Sequence, residues 1–583
     1  MCSLRALSAA AGGVPAAAGL KKSGPISVSV PAQVQNCAVP DFRKAAVALR
    51  VWIERGGGGG GRGARSSSAV HATLQSRGTD EEKIEEEKEE ERSRSRFNWT
   101  TNWYPVIPVA DFDKAVPYPF HILGRKVVIW CDKEGQFHCL LDACPHRLAP
   151  LSEGRVDEAG CIQCSYHGWS FRGDGSCAKI PQAKPEGAQA RACEQTRAQA
   201  VALPLLVKQG ILFIWPDESS PELARRTPPP TASCVEGEGW CAVETFRDMC
   251  YGFDTGMENL VDPAHIPVAH HMVNGGVLGK RSQATALDLE VKAEGPLGFS
   301  AEMKKAVGPP SIHTFDAPSR FTYEYELRNI KGARAATTTY CTPTQPGRCR
   351  IIVVNARNFM IGLSSGPAWW QIFPRWLDHQ LMLNLLDGDA SLLHEQERTL
   401  VEKSGNQPEA WAKAYFMPTT ADRYVGAFRN WLIRHAGKGI GWAPGVDLNL
   451  PPLLEKKEDI MNRYSSHTQM CKVCSAALEK FKLARKLLFL VGLAALGVAA
   501  VLADPSSRIK AVIFAAISGA IGCQSGSSVM AVTSHGHNRR STPDLSSSMY
   551  TITVGREACE YHAVLLILSL LLSSEILLRS QYP

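Results

Sequence analysis

At 583 residues and 44% hydrophobic content, the chain is globular for most of its length and long enough for two or three domains around a large core. Its formal charge of +7 resides in the first 79 residues, where ten Lys or Arg stand against only Asp41 and Glu54; the other 54 basic and 55 acidic residues balance, leaving no polyanion surface and excluding nucleic acid as a partner. Eighteen scattered Cys in so long a chain argue against a secreted disulfide framework and for a reducing compartment.

Residues 1–79, rich in Ala, Ser, Arg and Gly and nearly free of acid, have the composition of an organelle transit peptide or disordered leader. The hexaglycine Gly56 to Gly61 belongs to this segment, and residues 80–96, dense in Glu and Lys, read as an acidic linker. From 97 to 220 short β-rich runs alternate with turns: Lys126 to Trp130, Phe137 to Leu141, Cys161 to Gln163, Leu205 to Lys208 and Ile211 to Trp215. This pattern predicts a small all-β domain.

Two loops of that domain carry the chemistry. One reads Cys144-Pro-His146-Arg and the other Cys164-Ser-Tyr-His167-Gly-Trp, with 17 residues between them. Two thiolates and two imidazoles, one of each per loop, can ligate a [2Fe–2S] cluster with sulfur on one iron and nitrogen on the other, the Rieske arrangement. Tetrahedral zinc would accept the same donors, but zinc sites usually group Cys with Cys and His with His. Cys161 competes with Cys164, yet only Cys164 stands three residues before a His; Cys161 ends a strand-like run where it can pack as a small hydrophobe. The loops resemble those of oxygenases: where electron-carrier Rieske subunits place a further Cys in each loop, this chain has Ala149 and Tyr166.

Residues 240–470 mix strand patterns (Phe321 to Leu327, Ile351 to Asn355) with helical ones, such as Ala421 to His435, whose Tyr424, Phe428, Trp431 and Leu432 share a face. The prediction is an α+β domain. A Rieske cluster passes electrons singly, so an enzyme built on one needs a second centre, and the run Glu258 to His265 followed by His270 supplies two imidazoles. With a later carboxylate they would form the two-His, one-carboxylate triad that binds Fe(II) and leaves positions open. Five residues apart, the two His lie about 140° apart on a regular helix, so an irregularity is expected, and Pro267 between them is the expected breaker. His271 is an alternative to His270. For the carboxylate, Asp387-Gly388-Asp389 opens a helix-like run, and Asp389 is favoured over Asp387. Trp369, Trp370, Phe373 and Trp376 suit either a pocket wall or a core.

In 471–523, Leu487 to Ala503 is uninterrupted apolar sequence, ended by Asp504-Pro505, and Ala511 to Cys523 is a second, shorter run. A C-terminal transmembrane hairpin is expected, with Lys480, Lys482, Arg485 and Lys486 on the side of the large domains. Residues 524–583 are Ser-rich, then apolar from Ala563 to Leu578 with Glu575 inside, and carry no assignment.

The stretches Asn102 to Pro105, Cys144 to Gly154, Cys164 to Phe171, Ile180 to Gln182, Tyr251 to Thr255, Glu258 to His271, Gly366 to Gln371, Asp387 to Asp389 and Ala421 to Arg423 resemble the plastid pheophorbide a oxygenase family of Rieske-type non-haem iron oxygenases. The resemblance runs from about residue 97 to 523. It implies a chloroplast enzyme, anchored in the inner envelope or thylakoid with its catalytic domains in the stroma, that takes electrons from reduced ferredoxin and acts on a chlorophyll-derived tetrapyrrole. It further implies a mononuclear Fe(II) on His265, His270 and Asp389, with Asn259 beside the iron, and Asp262 bridging a mononuclear-iron His to a cluster His of the neighbouring subunit in a homotrimer. Cys471-Lys-Val-Cys474, shortly after His467, matches a family Cys pair of redox-regulated or structural character. The activity implied first is oxygenolytic opening of pheophorbide a; protochlorophyllide or chlorophyllide a oxygenation and redox sensing at the inner-envelope protein translocon are the alternatives.

Overall fold

The computed structural model describes residues 97–533, apart from 233–238, 277–278, 305–308, 327–330, 360–373 and 406, with side chains to residue 520. The leader, the acidic linker and residues 534–583 of the tail, together with Trp369, Trp370 and Phe373, lie outside the described residues.

The small domain is all β. Strand β1 (Tyr104–Pro108) pairs with β10 (Ile211–Ile214), and β10 with β9 (Leu205–Lys208); β2 (Tyr118–Ile122), β3 (Arg125–Cys131) and β4 (Phe137–Leu141) form a second antiparallel sheet. A third, of β5 (Arg155–Val156), β6 (Ile162–Gln163), β7 (Ser170–Phe171) and β8 (Cys177–Lys179), frames the second ligand loop. Strand β3 is buried on both faces, and its alternation divides two cores. Val127, Ile129 and Cys131 join the large core shared with the larger domain, whereas Val128 and Trp130 join a smaller one containing Leu140, Ile162, Phe171, Cys144 and Cys164.

The larger domain is α+β. Its seven-stranded antiparallel sheet runs in the order β11 (Cys241–Met249), β17 (Arg348–Arg357), β16 (Arg334–Gln345), β15 (Arg320–Glu326), β14 (Ser311–Asp316), β13 (Gly298–Lys304), β12 (Asp288–Gly295). Helices α1 (Phe253–Val261), α2 (Ile266–Ala269), α3 (Arg375–Ser404) and α4 (Arg423–Arg434) accompany it. On α4, Tyr424, Phe428, Trp431 and Leu432 are all buried, as the spacing predicts, and Phe428 and Trp431 meet Phe315 edge-on.

Two local expectations are corrected. Asp387-Gly388-Asp389 lies near the middle of the 30-residue α3 and does not open a helix. Pro267 does not break one either: it sits in the first turn of α2, where a missing N–H costs no hydrogen bond, and the regular backbone ends at His270 (φ −99°, ψ 24°).

The two domains share a buried cation. Arg350 donates to both oxygens of Asp248 (2.6 and 2.8 Å), to the Val106 carbonyl (3.1 Å) and to the Tyr118 hydroxyl (2.6 Å), with the Phe120 and Phe246 rings against its guanidinium. Thr342 adds a bond to the Pro105 carbonyl (2.7 Å).

Two long helices follow, α5 (Lys472–Val501) and α6 (Pro505–Thr533). The latter is much longer than the apolar run that announced it. They pack along small residues, with Gly492 against the Ala515 backbone and Ala499, Ala515 and Ser518 buried, while Leu487, Phe489, Leu490, Leu493, Ile513, Phe514 and Ile517 face outward. Among the described residues, α5 is long and apolar enough to cross a membrane.

Candidate metal centres

The two ligand loops share one backbone design. In the first, the Cys144 N–H donates to the Ala149 carbonyl (2.8 Å) and the Leu148 N–H returns to the Cys144 carbonyl (2.8 Å). In the second, Cys164 N–H donates to Trp169 and Gly168 N–H returns to Cys164 (2.8 and 3.0 Å). The fifth residue is left-handed in both, Gly168 at φ 76° and Leu148 at φ 59°, although only the glycine adopts that region without strain. Gln182 Nε2 holds the second loop through the His167 carbonyl (2.8 Å).

Cys144 and Cys164 are buried in the small core, whereas the imidazoles of His146 and His167 lie at the tip, 4.5 Å apart between centroids. Trp169 stacks flat on His146 at 4.7 Å, and Nδ1 of His146 is buried without a hydrogen-bond partner. Burial pushes the Cys144 thiol up to about 11, with the adjoining Cys164 adding to the rise and the His146 N–H opposing it, so charging both sulfurs calls for a bound cation. The four donors do not converge on one ion-sized point, as the ligands of a single zinc would. A two-iron cluster, sulfur at one end and nitrogen at the other, fits them. The Cys161 thiol meets the Ala159 carbonyl at 4.0 Å and, among the described residues, does not join the other two sulfurs and imidazoles.

In the larger domain His265, His270 and Asp389 bring one donor atom each within 4.8 Å of one another. Asp389 Oδ2 is 3.4 Å from His270 Nε2 and 3.9 Å from His265 Nε2. His265 stands at the start of α2 and His270 at its end, so the single turn swings both rings toward α3. Asp262, which ends α1, lies 3.4 Å from His265 Nδ1 without hydrogen-bond alignment and accepts the Ala264 N–H at 2.7 Å; Asn259 Nδ2 is 3.5 Å from His265 Nε2. Burial pushes Asp389 up to about 6 and His270 down to about 4. For His265, burial acts against the charged form, but Asp262 and Asp389 outweigh it and raise the pKa. A partly buried imidazole, a buried one and a buried carboxylate that, among the described residues, meets no Lys or Arg suit a divalent cation of the kind bound by N and O donors.

Neither alternative ligand joins this group. His271 turns away and accepts the Arg281 N–H at 3.1 Å. Asp387 is buried between two guanidiniums, Arg247 Nη1 at 2.5 Å and Arg463 Nε at 3.0 Å.

Profiles of two families match the chain: the Rieske [2Fe-2S] domain over residues 102–202, and pheophorbide a oxygenase over 315–407. The chain is 41% identical over 431 residues to pheophorbide a oxygenase of Arabidopsis thaliana, covering 71% of this chain and 79% of the relative, and 40% identical to its counterpart in Oryza sativa subsp. japonica, covering 73% and 82%. The chain belongs to the pheophorbide a oxygenase family. A further relative is the protochlorophyllide-dependent translocon component 52 of Arabidopsis thaliana, 32% identical with 66% and 74% covered. As a member of the family the protein is an oxidoreductase of the Rieske oxygenase kind, and its Rieske domain implies a [2Fe–2S] cluster.

Several residues that shape this family member's sites escaped the sequence. Arg247 and Arg463 gave no local signal. Glu258, within a quoted motif but without a stated role, is buried and accepts from Arg429 Nε (2.6 Å) and Gln396 Nε2 (3.0 Å), fixing α1 to α3 and α4 and hence placing Asn259 and Asp262. Trp376, partly buried against the large core, packs edge-on against the partly exposed Phe481 of α5 at 5.0 Å. One signal was available: a glycine inside a helix, Gly388, costs about 1 kcal/mol relative to alanine and implies a close neighbour.

Proposed function

We propose that this protein oxygenates pheophorbide a, opening its chlorin ring to a linear red tetrapyrrole with electrons from reduced ferredoxin. The observation that carries the reading is the convergence of His265, His270 and Asp389 in a chain 41% identical to a pheophorbide a oxygenase across 79% of that relative. Cys144, His146, Cys164 and His167 are assigned to the cluster, and His265, His270 and Asp389 to a mononuclear iron. Bound there, Fe(II) supplies activation of dioxygen at the positions the three residues leave open. Asp262 orients His265 and, in a homotrimer, extends toward a cluster imidazole of the neighbouring subunit; Asn259 stands beside the site as a polar neighbour of His265. A redox sensor has no need of an open three-residue site, which weighs against that alternative.

The test is purified enzyme with reduced ferredoxin, dioxygen and, in parallel, pheophorbide a, protochlorophyllide and chlorophyllide a. A red, ring-opened product from pheophorbide a alone is expected. Turnover of either other pigment in preference would move the assignment to ring-substituent oxygenation, and cluster reduction without any product would favour the sensor.

The apolar part of α5, Leu487 to Val501, spans about 22 Å at 1.5 Å per residue, slightly short of the ~30 Å hydrocarbon core, and turns Leu487, Phe489, Leu490, Leu493 and Val498 outward beside α6. They support a membrane anchor in the chloroplast with Lys480, Lys482, Arg485 and Lys486 on the stromal side. Resistance of the full chain to alkaline carbonate extraction, and solubility of a chain ending at Lys480, are the expected results; ready extraction of the full chain would refute the anchor.

A further inference from the structure

A second converging group lies outside both centres. His379 of α3, His467, and Cys471 and Cys474 at the start of α5 place one donor atom each within 4.8 Å of one another, and all four residues are buried. Cys474 Sγ is 3.3 Å from both His379 Nδ1 and His467 Nε2, and Cys471 Sγ is 3.6 Å from His379 Nδ1.

The tautomer of His467 is fixed from outside. Nδ1 of His467 lies 2.7 Å from the Phe246 carbonyl, which can only accept, so Nδ1 carries the proton and Nε2 turns a bare lone pair inward. Nε2 of His379 faces Asp111 Oδ1 at 3.6 Å, and that fully buried carboxylate is itself held by Arg375 at 2.9 and 3.2 Å. Its Nδ1 is the nitrogen that faces the sulfurs, and the ring lies between them and the Asp111 carboxylate, the carboxylate–histidine–metal order common around bound metals. Cys471 caps α5, its sulfur accepting the Cys474 N–H at 3.4 Å in the first turn, so both sulfurs stand at one helix end facing the two imidazoles.

We propose that His379, His467, Cys471 and Cys474 bind one structural Zn²⁺, a tetrahedral two-sulfur, two-nitrogen site that fastens the root of the C-terminal helices to the oxygenase body. Soft and borderline donors in this set select zinc over hard, oxygen-seeking cations. A dithiol switch is disfavoured here because exchange requires an attacking thiolate to reach a sulfur, and both sulfurs are enclosed. The site is separate from the proposed mononuclear iron, so either assignment can fail alone.

The full-length chain, purified in detergent without added metal or chelator, is assayed by elemental mass spectrometry and zinc-edge X-ray absorption, with the Rieske electron paramagnetic resonance signal as a check on folding. One zinc per chain is expected, with two sulfur scatterers at about 2.3 Å and two nitrogens at about 2.0–2.1 Å. Cys474→Ser and His467→Ala should lower zinc at least tenfold while Cys193→Ser leaves it unchanged. Full cluster signal with less than about a tenth of a zinc per chain, a mapped Cys471–Cys474 disulfide, or a zinc shell free of sulfur would overturn the proposal. Should the variants fail to fold, the absorption spectrum of the unaltered protein decides.

Discussion

A Cβ placed on Gly388 would lie 2.9 Å from Nδ1 of His270. The imidazole rests on a helix that has been shaved to admit it, which explains a glycine amid 30 helical residues. Gly388→Ala should strengthen α3 by up to about 1 kcal/mol in intrinsic propensity yet displace His270. We expect loss of most mononuclear iron and product, with the Rieske signal intact; normal iron content in this variant would show that the ring can yield without losing its place.

The neighbouring acids predict opposite phenotypes. Asp389→Asn should remove mononuclear iron and turnover with little change in melting temperature. Asp387→Asn should leave Arg247 and Arg463 buried without their counter-ion, at a cost of about 3–5 kcal/mol, and lower the melting temperature by ~6–20 °C. Calorimetry and iron analysis of the two variants side by side separate ligand from anchor.

Ser substitution of Cys144 or Cys164, or Ala substitution of His146 or His167, should abolish the Rieske electron paramagnetic resonance signal. Cys161→Ser should preserve it, because that thiol meets a carbonyl at 4.0 Å and, among the described residues, does not join the other two sulfurs. A persisting signal in Cys164→Ser would reverse the choice between the two cysteines.

Asp262→Asn should leave the cluster reducible by ferredoxin and the iron bound, since neither loses a proposed ligand. Reoxidation of the cluster in single-turnover experiments with substrate and dioxygen should slow by about 10-fold or more, because a neutral amide orients His265 and supports its charge less well. Unchanged reoxidation would mean that the centres communicate elsewhere.

Glu397 predicts a pH dependence of stability. Burial pushes its carboxyl up to about 8, with Asp254 adding to the rise and the Gly252 N–H, Arg398 and Arg429 opposing it. The folded state therefore binds a proton that the unfolded chain, near the ordinary 4.5, has released. The resulting stabilisation is complete below about 4.5 and disappears as pH rises through about 8. Melting temperature should fall between about pH 4.5 and 8, and Glu397→Gln should flatten that fall. An unchanged slope in the variant would assign the pH dependence to other groups.

What could be read in advance follows sequence separation. Cys144 with His146, Cys164 with His167, and His265 with His270 are local patterns, and the face of α4 is a local periodicity. Acids are common, and the sequence narrowed the third donor to the Asp387-Gly-Asp389 run with a preference for Asp389, whereas the surroundings of Asp387 depend on Arg247, 140 positions away. His379 and Cys474 are 95 positions apart, and only the fold brings them together. Pro267 misled because a proline's effect depends on whether it falls in the first turn or later, and the start of so short a helix carries no sequence signature.

Arg350 has a kinetic consequence. Its guanidinium is enclosed by groups from both domains, and the core around it is continuous, so swinging the cluster domain away would strand a buried charge and open apolar surface together. The cluster is thus a fixed electrode, not a tethered shuttle. The cluster domain therefore keeps a constant place on its own subunit, so delivery to a neighbouring subunit, as proposed, would start from a fixed point, and any gating of turnover has to arise in smaller pieces, such as a side chain, a loop or the arrival of a partner.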